Sequence, residues 1–255
     1  MATKVKEATI RPAKLPVYRS ADSLLKKALG DMGEGLRMAP MWVPLSLRET
    51  FTQFRRFFLG PFWIPLGMMV LVYVLGYAYS YIFQRNYWYY TTYLFAGFLN
   101  WQIIQASLMG GFGLFTRQGR AMSHVRMPYT YYIYKHTFEA LLNWLIVLPF
   151  LLIILIVPYA LGDMASPEQP RLSLTALWAI PAFGVYALAS VFSVTLFAVV
   201  SVRVRDLEAP IASILRILFL ITPVIWIAEE REGSRRAAFI DYNPFYHFLE
   251  IGRAP

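Results

Sequence analysis

Long apolar runs alternate with short polar connections along most of the chain. Five of these runs are each long enough to cross about 30 Å of hydrocarbon at about 1.5 Å per residue. The first of them carries no charged residue between Pro61 and Phe83. The pattern therefore predicts an all-α membrane protein with five visible transmembrane helices, placed near residues 61–83, 89–115, 140–161, 174–202 and 209–228.

A helical periodicity precedes the first run. Apolar side chains recur at i, i+4, i+7 and i+11, which places them on one face of a helix, with Arg55 and Arg56 on the rest of its circumference. Such a helix lies in the headgroup region of a membrane, although a soluble helix packed on a core has the same periodicity. Gly60 and Pro61 then end it, because proline removes a donor. We predict an amphipathic interfacial helix whose apolar face consists of Leu47, Phe51, Phe54 and Phe58.

The first part of the chain is polar and basic, with several prolines and glycines. It predicts a flexible cytoplasmic arm with one short helix from Ser20 to Leu29. The lysines of this arm either touch anionic lipid or remain solvated. The chain thus divides into an arm, residues 1–46, and a transmembrane domain, residues 47–255.

The distribution of basic residues predicts the orientation. Lysine and arginine number seventeen in the segments that this arrangement places inside and six in those it places outside, with Arg216 within the fifth run. This bias favours a cytoplasmic N-terminus, with loops 84–88 and 162–173 outside.

Composition agrees with a membrane protein. Hydrophobic residues make up 58% of the chain, charged residues 15%, and the mean hydropathy is +0.47. A soluble domain carries about a quarter charged residues. The net charge of +9 follows the inside bias and forms no recognition motif, so nucleic acid is not an expected partner. The absence of cysteine excludes disulfides and thiolate chemistry.

The sequence offers no catalytic, cofactor-binding or metal-binding residues. It contains neither a GxxxxGK[ST] phosphate loop nor a GxSxG elbow. Its histidines, His124, His136 and His247, are scattered without metal-ligand spacing. Intramembrane carboxylate pairs, which a proton-coupled carrier needs, are missing too. The chain therefore indicates a membrane conduit that depends on an external energy source.

Aromatic residues crowd the outer end of the first hairpin, with ten between positions 73 and 93. An interfacial belt accounts for most of them. Tyr73, Tyr77 and Tyr81 recur at i, i+4 and i+8 and form one stripe. Sugar rings stack on aromatic faces, and a stripe facing lipid would bury unpartnered hydroxyls. Our hypothesis is that Tyr73 and Tyr77 line a glycan path with Tyr81 at its mouth, helix packing being the alternative.

Two basic features have competing interpretations. Loop 116–136, which contains Arg117, Arg120 and Arg126, either contacts a cytosolic partner or lies on phospholipid. Arg216 is an intramembrane charge that serves as an ion pair or snorkels to the interface, or else contributes to transport.

Five segments resemble one family in matching order. ABC-2-type permeases that export polysaccharides have similar segments before and within the first span, in the second span, in the cytoplasmic loop and around the fifth span. In this chain the segments are RRFFLGPFW at 55–63, FAGFLNWQIIQASL at 95–108, VRMPYTYY at 125–132, RVRDLEAPIASILRILFLITPVIW at 203–226 and DYNPFYHFLEIGRAP at 241–255.

The resemblance implies a transport subunit rather than an enzyme. It implies that the permease pairs with a second copy of itself and with two separate ATPase subunits, which hold ATP and Mg²⁺. Such permeases export lipid-linked O-antigen, capsular or teichoic-type glycans across the bacterial plasma (inner) membrane. Two alternatives remain: a permease for a drug or small amphiphile, and a membrane-embedded enzyme of envelope lipids.

The resemblance also implies roles for individual segments. Loop 117–131, including Pro128, is expected to contact the ATPase. Residues 229–250 are expected to fold back as a periplasmic re-entrant segment. The family has six spans, so IGRAP at 251–255 is expected to lead into a sixth.

The orientation is testable because the chain contains no native cysteine. Single cysteines at Gln84, Ser166 and Ser123 are treated with an impermeant thiol reagent in intact cells. We expect labelling at the first two positions only, since both loops are predicted outside. Labelling at Ser123 without labelling at Ser166 would reverse the orientation.

Overall fold

The computed structural model describes residues 21–55, 57–119, 122, 125, 127–160, 179–227 and 240–253. Within these ranges the regular structure is helical and no strand occurs. The helices are α1 (Ala21–Arg37), α2 (Ala39–Thr52), α3 (Trp63–Phe83), α4 (Tyr87–Gly111), α5 (Leu114–Arg117), α6 (Tyr129–Ala160), α7 (Ala179–Arg203), α8 (Glu208–Ile221) and α9 (Pro244–Arg253), with a 3₁₀ turn at Gly60–Phe62.

The described part of the chain has three helices long and apolar enough to cross a membrane. They are Gly60–Phe83, Tyr129–Pro158 and Ile180–Arg203. The all-α membrane class predicted from the sequence is confirmed, and the first and fourth runs coincide closely with α3 and α7.

Helices α3 and α4 form a tight hairpin. Gln84 ends α3 in the left-handed conformation, with φ of 55°. Asn86 then begins α4, because its side-chain oxygen accepts hydrogen bonds from the backbone N–H groups of Trp88 (2.9 Å) and Tyr89 (3.2 Å). The two helices approach closely at Gly76, where an added Cβ would lie 2.4 Å from Thr91 Oγ1.

Helix α4 lies at the centre of the protein and is buried on most of its circumference. It packs against α3, α6, α7 and α9, and its buried residues include the polar Thr91, Asn100 and Ser107. Apolar clusters surround it: one joins Phe95 and Leu99 to α3 and α6, and another joins Ile104 to α7 and α9. The outer helices therefore shield a central helix whose polar side chains could not face lipid.

The N-terminal arm is more ordered than the sequence suggested. We expected one short helix from Ser20 to Leu29 within a flexible segment, but α1 continues to Arg37. Helix α2 follows at once and crosses the proposed domain boundary at residue 46. Both helices pack against the beginning of α6. This contact between distant segments stabilises a stretch whose composition resembles that of a linker.

The predicted interfacial helix is displaced. It was expected to include residues 47–58, but α2 ends at Thr52. Beyond it, backbone N–H groups bond to carbonyls three residues earlier, so turns replace the α-helix and move Phe54 and Phe58 away from the predicted face. The buried face of α2 instead consists of Trp42, Ser46 and Thr50, because these side chains lie toward α6.

The third and fifth runs also differ from their predicted limits. Helix α6 begins at Tyr129 instead of near residue 140, since its polar first turns find partners on α1 and α2. Helix α8 ends at Ile221 instead of near residue 228. Its 14 residues extend about 21 Å at 1.5 Å per residue, and Pro223 follows its end.

Candidate functional site

The described residues bring the candidate site residues to two ends of the helix bundle. The first, the inner end, contains α1, α2, α5 and the beginning of α6, and the predicted orientation places it in the cytoplasm. The second, the outer end, contains the α3–α4 turn at residues 84–86 and the segment that follows α8.

At the inner end, an ion-pair network joins α2 to α6. Lys135 Nζ lies 2.5 Å from Glu49 Oε2 and 2.8 Å from Glu139 Oε1. The lysine side chain is 9% exposed, whereas that of Glu49 is 51% exposed. A buried cation depends on its partners, because removing them leaves a charge without compensation. The sequence analysis did not identify this network, because Lys135 and Glu49 are 86 residues apart in the chain.

A second contact fixes α1 to the N-terminus of α6. The Asp31 carboxylate accepts hydrogen bonds from the backbone N–H groups of Tyr129 (3.2 Å) and Thr130 (3.0 Å), and Thr130 Oγ1 donates to Asp31 O at 2.5 Å. A carboxylate at the N-terminus of a helix accepts hydrogen bonds from backbone N–H groups that have no partner within the helix. Its negative charge also interacts favourably with the helix dipole. Trp42 Nε1 donates to Gly35 O at 3.1 Å and so closes α2 onto α1. We call α1 and α2 the inner clamp.

The predicted coupling residues lie next to this clamp as far as they are described. Arg117 is exposed on α5 and its Nη2 donates to Gly110 O at 3.3 Å. Pro128 is buried directly before α6. The ring of Phe115 packs edge-on against Tyr129 at 5.7 Å, which joins α5 to α6. Arg120 and Arg126 fall outside the described residues.

The residues of the predicted interfacial helix do not converge on one face. Phe51 and Phe58 are exposed, Leu47 is half-buried, and Phe54 contacts Phe57 with ring centroids 6.2 Å apart. Arg55 is exposed in the turns that follow α2, and Arg56 falls outside the described residues.

The tyrosine stripe lies on the side of α3 that faces away from α4. Tyr77 is 75% exposed and Tyr81 is 83% exposed, whereas Tyr73 is half-buried against the apolar cluster around Val72 and Phe95. The opposite face of α3 is packed on α4. Beside the two exposed tyrosines is an open cleft of about 570 Å³, lined by Tyr77, Ser80, Tyr81, Gln84, Arg85 and Tyr87.

Arg216 is exposed on α8, and its Nε donates to Ala212 O, one turn earlier, at 3.4 Å. Its apolar neighbours Ile214, Ile217 and Leu220 are exposed as well, so this helix presents a broad free face. The roles predicted for Arg216 from the sequence therefore stay predictions.

At the outer end, the structure reveals a polar cluster that sequence reasoning missed. Arg253 Nη1 donates to Tyr93 OH at 2.9 Å and to Pro223 O at 2.7 Å, and Nη2 donates to Val224 O at 3.0 Å. The guanidinium carbon lies 3.8 Å from the centre of the Tyr93 ring. We call Tyr93, Pro223, Val224 and Arg253 the outer clasp.

Further hydrogen bonds surround the outer clasp. Tyr90 OH donates to Ile225 O, and Tyr93 OH lies 3.1 Å from both Pro223 O and Trp226 O. From the sequence alone, these tyrosines were assigned to an interfacial aromatic belt. Their spacing of three residues was visible, but the backbone that they bind is more than a hundred residues away in the chain.

Helix α9 lies against the middle of α4. Asn243 Nδ2 donates to Thr222 Oγ1 at 3.0 Å, and Tyr186 OH donates to Phe248 O at 2.6 Å. An added Cβ at Gly252 would lie 2.3 Å from Asn100 Nδ2, which shows how closely the helices approach. The re-entrant segment proposed for residues 229–250 therefore ends in a helix whose one side packs against α4 and α7, and its residues 229–239 fall outside the described ranges.

The described residues contain no group of three or more histidine, aspartate or glutamate side chains placed to hold a metal ion. Between α4, α7 and α9 is an apolar cavity of about 160 Å³, with the hydroxyls of Ser107 and Ser190 bonded at 2.7 Å on its wall.

The ion-pair network leads to a stability prediction. Replacing Lys135 with methionine leaves two carboxylates facing each other, and we expect the protein to lose about 2 kcal/mol, below the usual 3–5 because Glu49 is half-exposed. Thermal unfolding of the purified protein in detergent measures the loss. The exposed Lys27→Met is the matched control, and adding Glu49→Gln to Lys135→Met should recover part of the loss. Equal unfolding temperatures for Lys135→Met and Lys27→Met would contradict this role.

Comparison with known proteins gives one informative match, and no family model matches the chain. The chain is 25% identical over 214 residues to the O-antigen export system permease protein RfbA of Myxococcus xanthus. The aligned region covers 81% of this chain and 76% of that protein. The match confirms the resemblance drawn from the sequence: the chain is similar to the ABC-2-type permeases of polysaccharide exporters.

Proposed function

We propose that the chain is the permease subunit of an ATP-driven transporter that exports a lipid-linked polysaccharide across the bacterial plasma membrane. The observation that carries this proposal is the similarity to an O-antigen export permease along four-fifths of the chain. The three helices able to cross a membrane also support it, because a permease must span the membrane and the relative is named as one.

Energy for export comes from elsewhere in the proposed assembly. The sequence has no phosphate loop, so ATP and Mg²⁺ are held by a separate ATPase subunit. Two such subunits act with two copies of the permease. The N-terminus and the inner end face the cytoplasm, where the ATPase is found.

The inner clamp offers a route by which an ATPase can move the membrane helices. A partner that binds the coupling residues lies beside the beginning of α6, because these residues precede this helix in the chain. They are Arg117, Arg120, Arg126 and Pro128. The carboxylate of Asp31 and the ion pairs of Lys135 fasten α1 and α2 to the first three turns of α6. A force applied at this end therefore reaches the beginning of α6, a helix of 32 residues.

The glycan passes between two copies of the chain. In a single chain Tyr77 and Tyr81 face outward, where hydrocarbon would bury their hydroxyls at a cost of about 1–3 kcal/mol each. A second copy opposite this face gives the hydroxyls a wet surface. Aromatic faces also let successive sugars slide without gripping any one hydroxyl, which suits a repeating polymer.

Loss of the chain tests the function, and the tyrosine stripe refines the test. We expect a strain without the chain to lose surface polysaccharide and to recover it with the unmodified chain. Tyr73→Leu together with Tyr77→Leu should restore markedly less, because the path loses its hydroxyls, while the protein remains in the membrane. Surface polysaccharide is measured by gel and immunoblot.

The control for the stripe is Leu71→Val with Ile82→Val, which changes two exposed positions of α3 that lie more than about 100° around the helix from Tyr77. Full export from the tyrosine double variant would indicate that the stripe serves only in helix packing. Unchanged surface polysaccharide in the strain without the chain would contradict the proposed function itself.

The coupling surface is tested by charge. Reversing Arg117, Arg120 and Arg126 to glutamate should reduce co-purification of the ATPase, since like charges meet where opposite charges met. Membrane insertion should be unaffected because the loop lies outside the spans. Lys26→Glu with Lys27→Glu on exposed α1 provides a control that changes charge elsewhere at the inner end. Wild-type binding by the triple variant would favour a loop that lies on phospholipid.

A further inference from the structure

The outer clasp adds to the contacts between two segments, which also share a hydrogen bond from Asn243 to Thr222 and an apolar cluster. One is the bend at residues 222–227, which follows the end of α8, and the other is α9. The Arg253 guanidinium, on α9, donates hydrogen bonds to two carbonyl groups of the bend and a third hydrogen bond to Tyr93 OH of α4. The Arg253 side chain is 5% exposed, so the bridge lies within the protein.

The geometry requires arginine at this position. The two Nη atoms bind different carbonyl groups, those of Pro223 and Val224, while the plane of the guanidinium covers the Tyr93 ring. A planar fork can do both at once, whereas a lysine ammonium is a point charge that cannot. The nearby Glu250 carboxylate, 3.6 Å from Nη1, offsets part of the charge.

The neighbouring helix is shaped to admit the guanidinium. Gly97 of α4 is the residue beneath it, and an added Cβ there would lie 2.2 Å from Arg253 Nη2 and 2.9 Å from Val224 O. A methyl group at Gly97 therefore competes for the space of the clasp. This gives a second way to disturb the clasp that leaves the arginine in place.

The clasp acts on backbone carbonyl groups that are no longer part of a helix. Past Ile221 the chain leaves the helix, and its carbonyl groups at 223–226 bond to Arg253, Tyr90 and Tyr93. Irregular backbone at membrane depth persists only where protein or water satisfies it. The guanidinium and the two tyrosines therefore determine where the end of α8 stands beside α4.

We propose that Arg253 is a positioning residue for transport, which holds the bend at 222–227 against α4 and so fixes the outer end of α8 beside the apolar cluster on which Tyr73 packs. The inference rests on the proposed function for its transport readout. The positioning itself is a property of the chain alone and is measured without substrate.

The experiment uses Val224→Cys in the full chain, which has no other cysteine. Val224 is fully buried, so this thiol reacts slowly with a small membrane-permeant maleimide while the bend is docked. Loss of charge-assisted hydrogen bonds in Arg253→Lys should raise the labelling rate about tenfold. Gly97→Ala should raise it as well. Gly184→Ala, where an added Cβ meets nothing within 4 Å, should leave it unchanged.

The same Arg253 and Gly97 variants are made without the cysteine and assayed for surface polysaccharide, with immunoblots of membrane content to identify any variant that fails to fold. We expect export to fall in Arg253→Lys and Gly97→Ala but not in Gly184→Ala.

Slow labelling in both Arg253→Lys and Gly97→Ala would overturn the positioning role. Fast labelling with export at the wild-type level would overturn its importance for transport. If the unmodified chain supports no export, the proposed function fails, while the labelling rates still decide whether Arg253 holds the bend.

Discussion

The burial of α4 is the constraint on which the rest of the structure depends. Thr91 and Ser107 donate hydrogen bonds to carbonyl groups one turn earlier in this helix, whereas Asn100 Oδ1 has no partner among the described residues, and a buried polar group without a partner costs about 1–3 kcal/mol. The helix also has glycines at positions where α9 and α6 approach closely. Such a helix cannot stand alone in lipid, so α3, α6, α7 and α9 surround it, and small residues permit the close contact that dispersion forces need.

Much of the fold could be predicted from the sequence because lipid imposes a simple rule. A long uncharged run must be a helix, and this rule located α3 and α7 closely. The rule failed for the beginning of α6. In the sequence Lys135 and Glu139 interrupt the apolar run, and the ion pair of Lys135 with the distant Glu49 is not apparent. Local periodicity likewise did not indicate which face of α2 packs on α6, because that contact joins residues 86 positions apart in the chain.

The candidate site was less accessible to prediction than the fold. Tyr77 and Tyr81 are one turn apart on α3, and only the packing of this helix shows that both side chains are exposed whereas Tyr73 is half-buried. The outer clasp left no local signal, as Tyr93 and Arg253 are 160 residues apart. Tyrosines look alike in a belt and in a hydrogen-bond network, and only the positions of distant carbonyl groups distinguish the two.

The long separation between Tyr93 and Arg253 has a consequence for biosynthesis. A ribosome that adds about 5–20 residues per second needs roughly 10–30 s to extend the chain from one to the other. During that interval α4 lacks the helix that covers its middle. The nascent protein therefore passes through a stage in which a polar helix waits in the bilayer, a stage at which an insertion factor or the lateral gate of the translocon can shelter it.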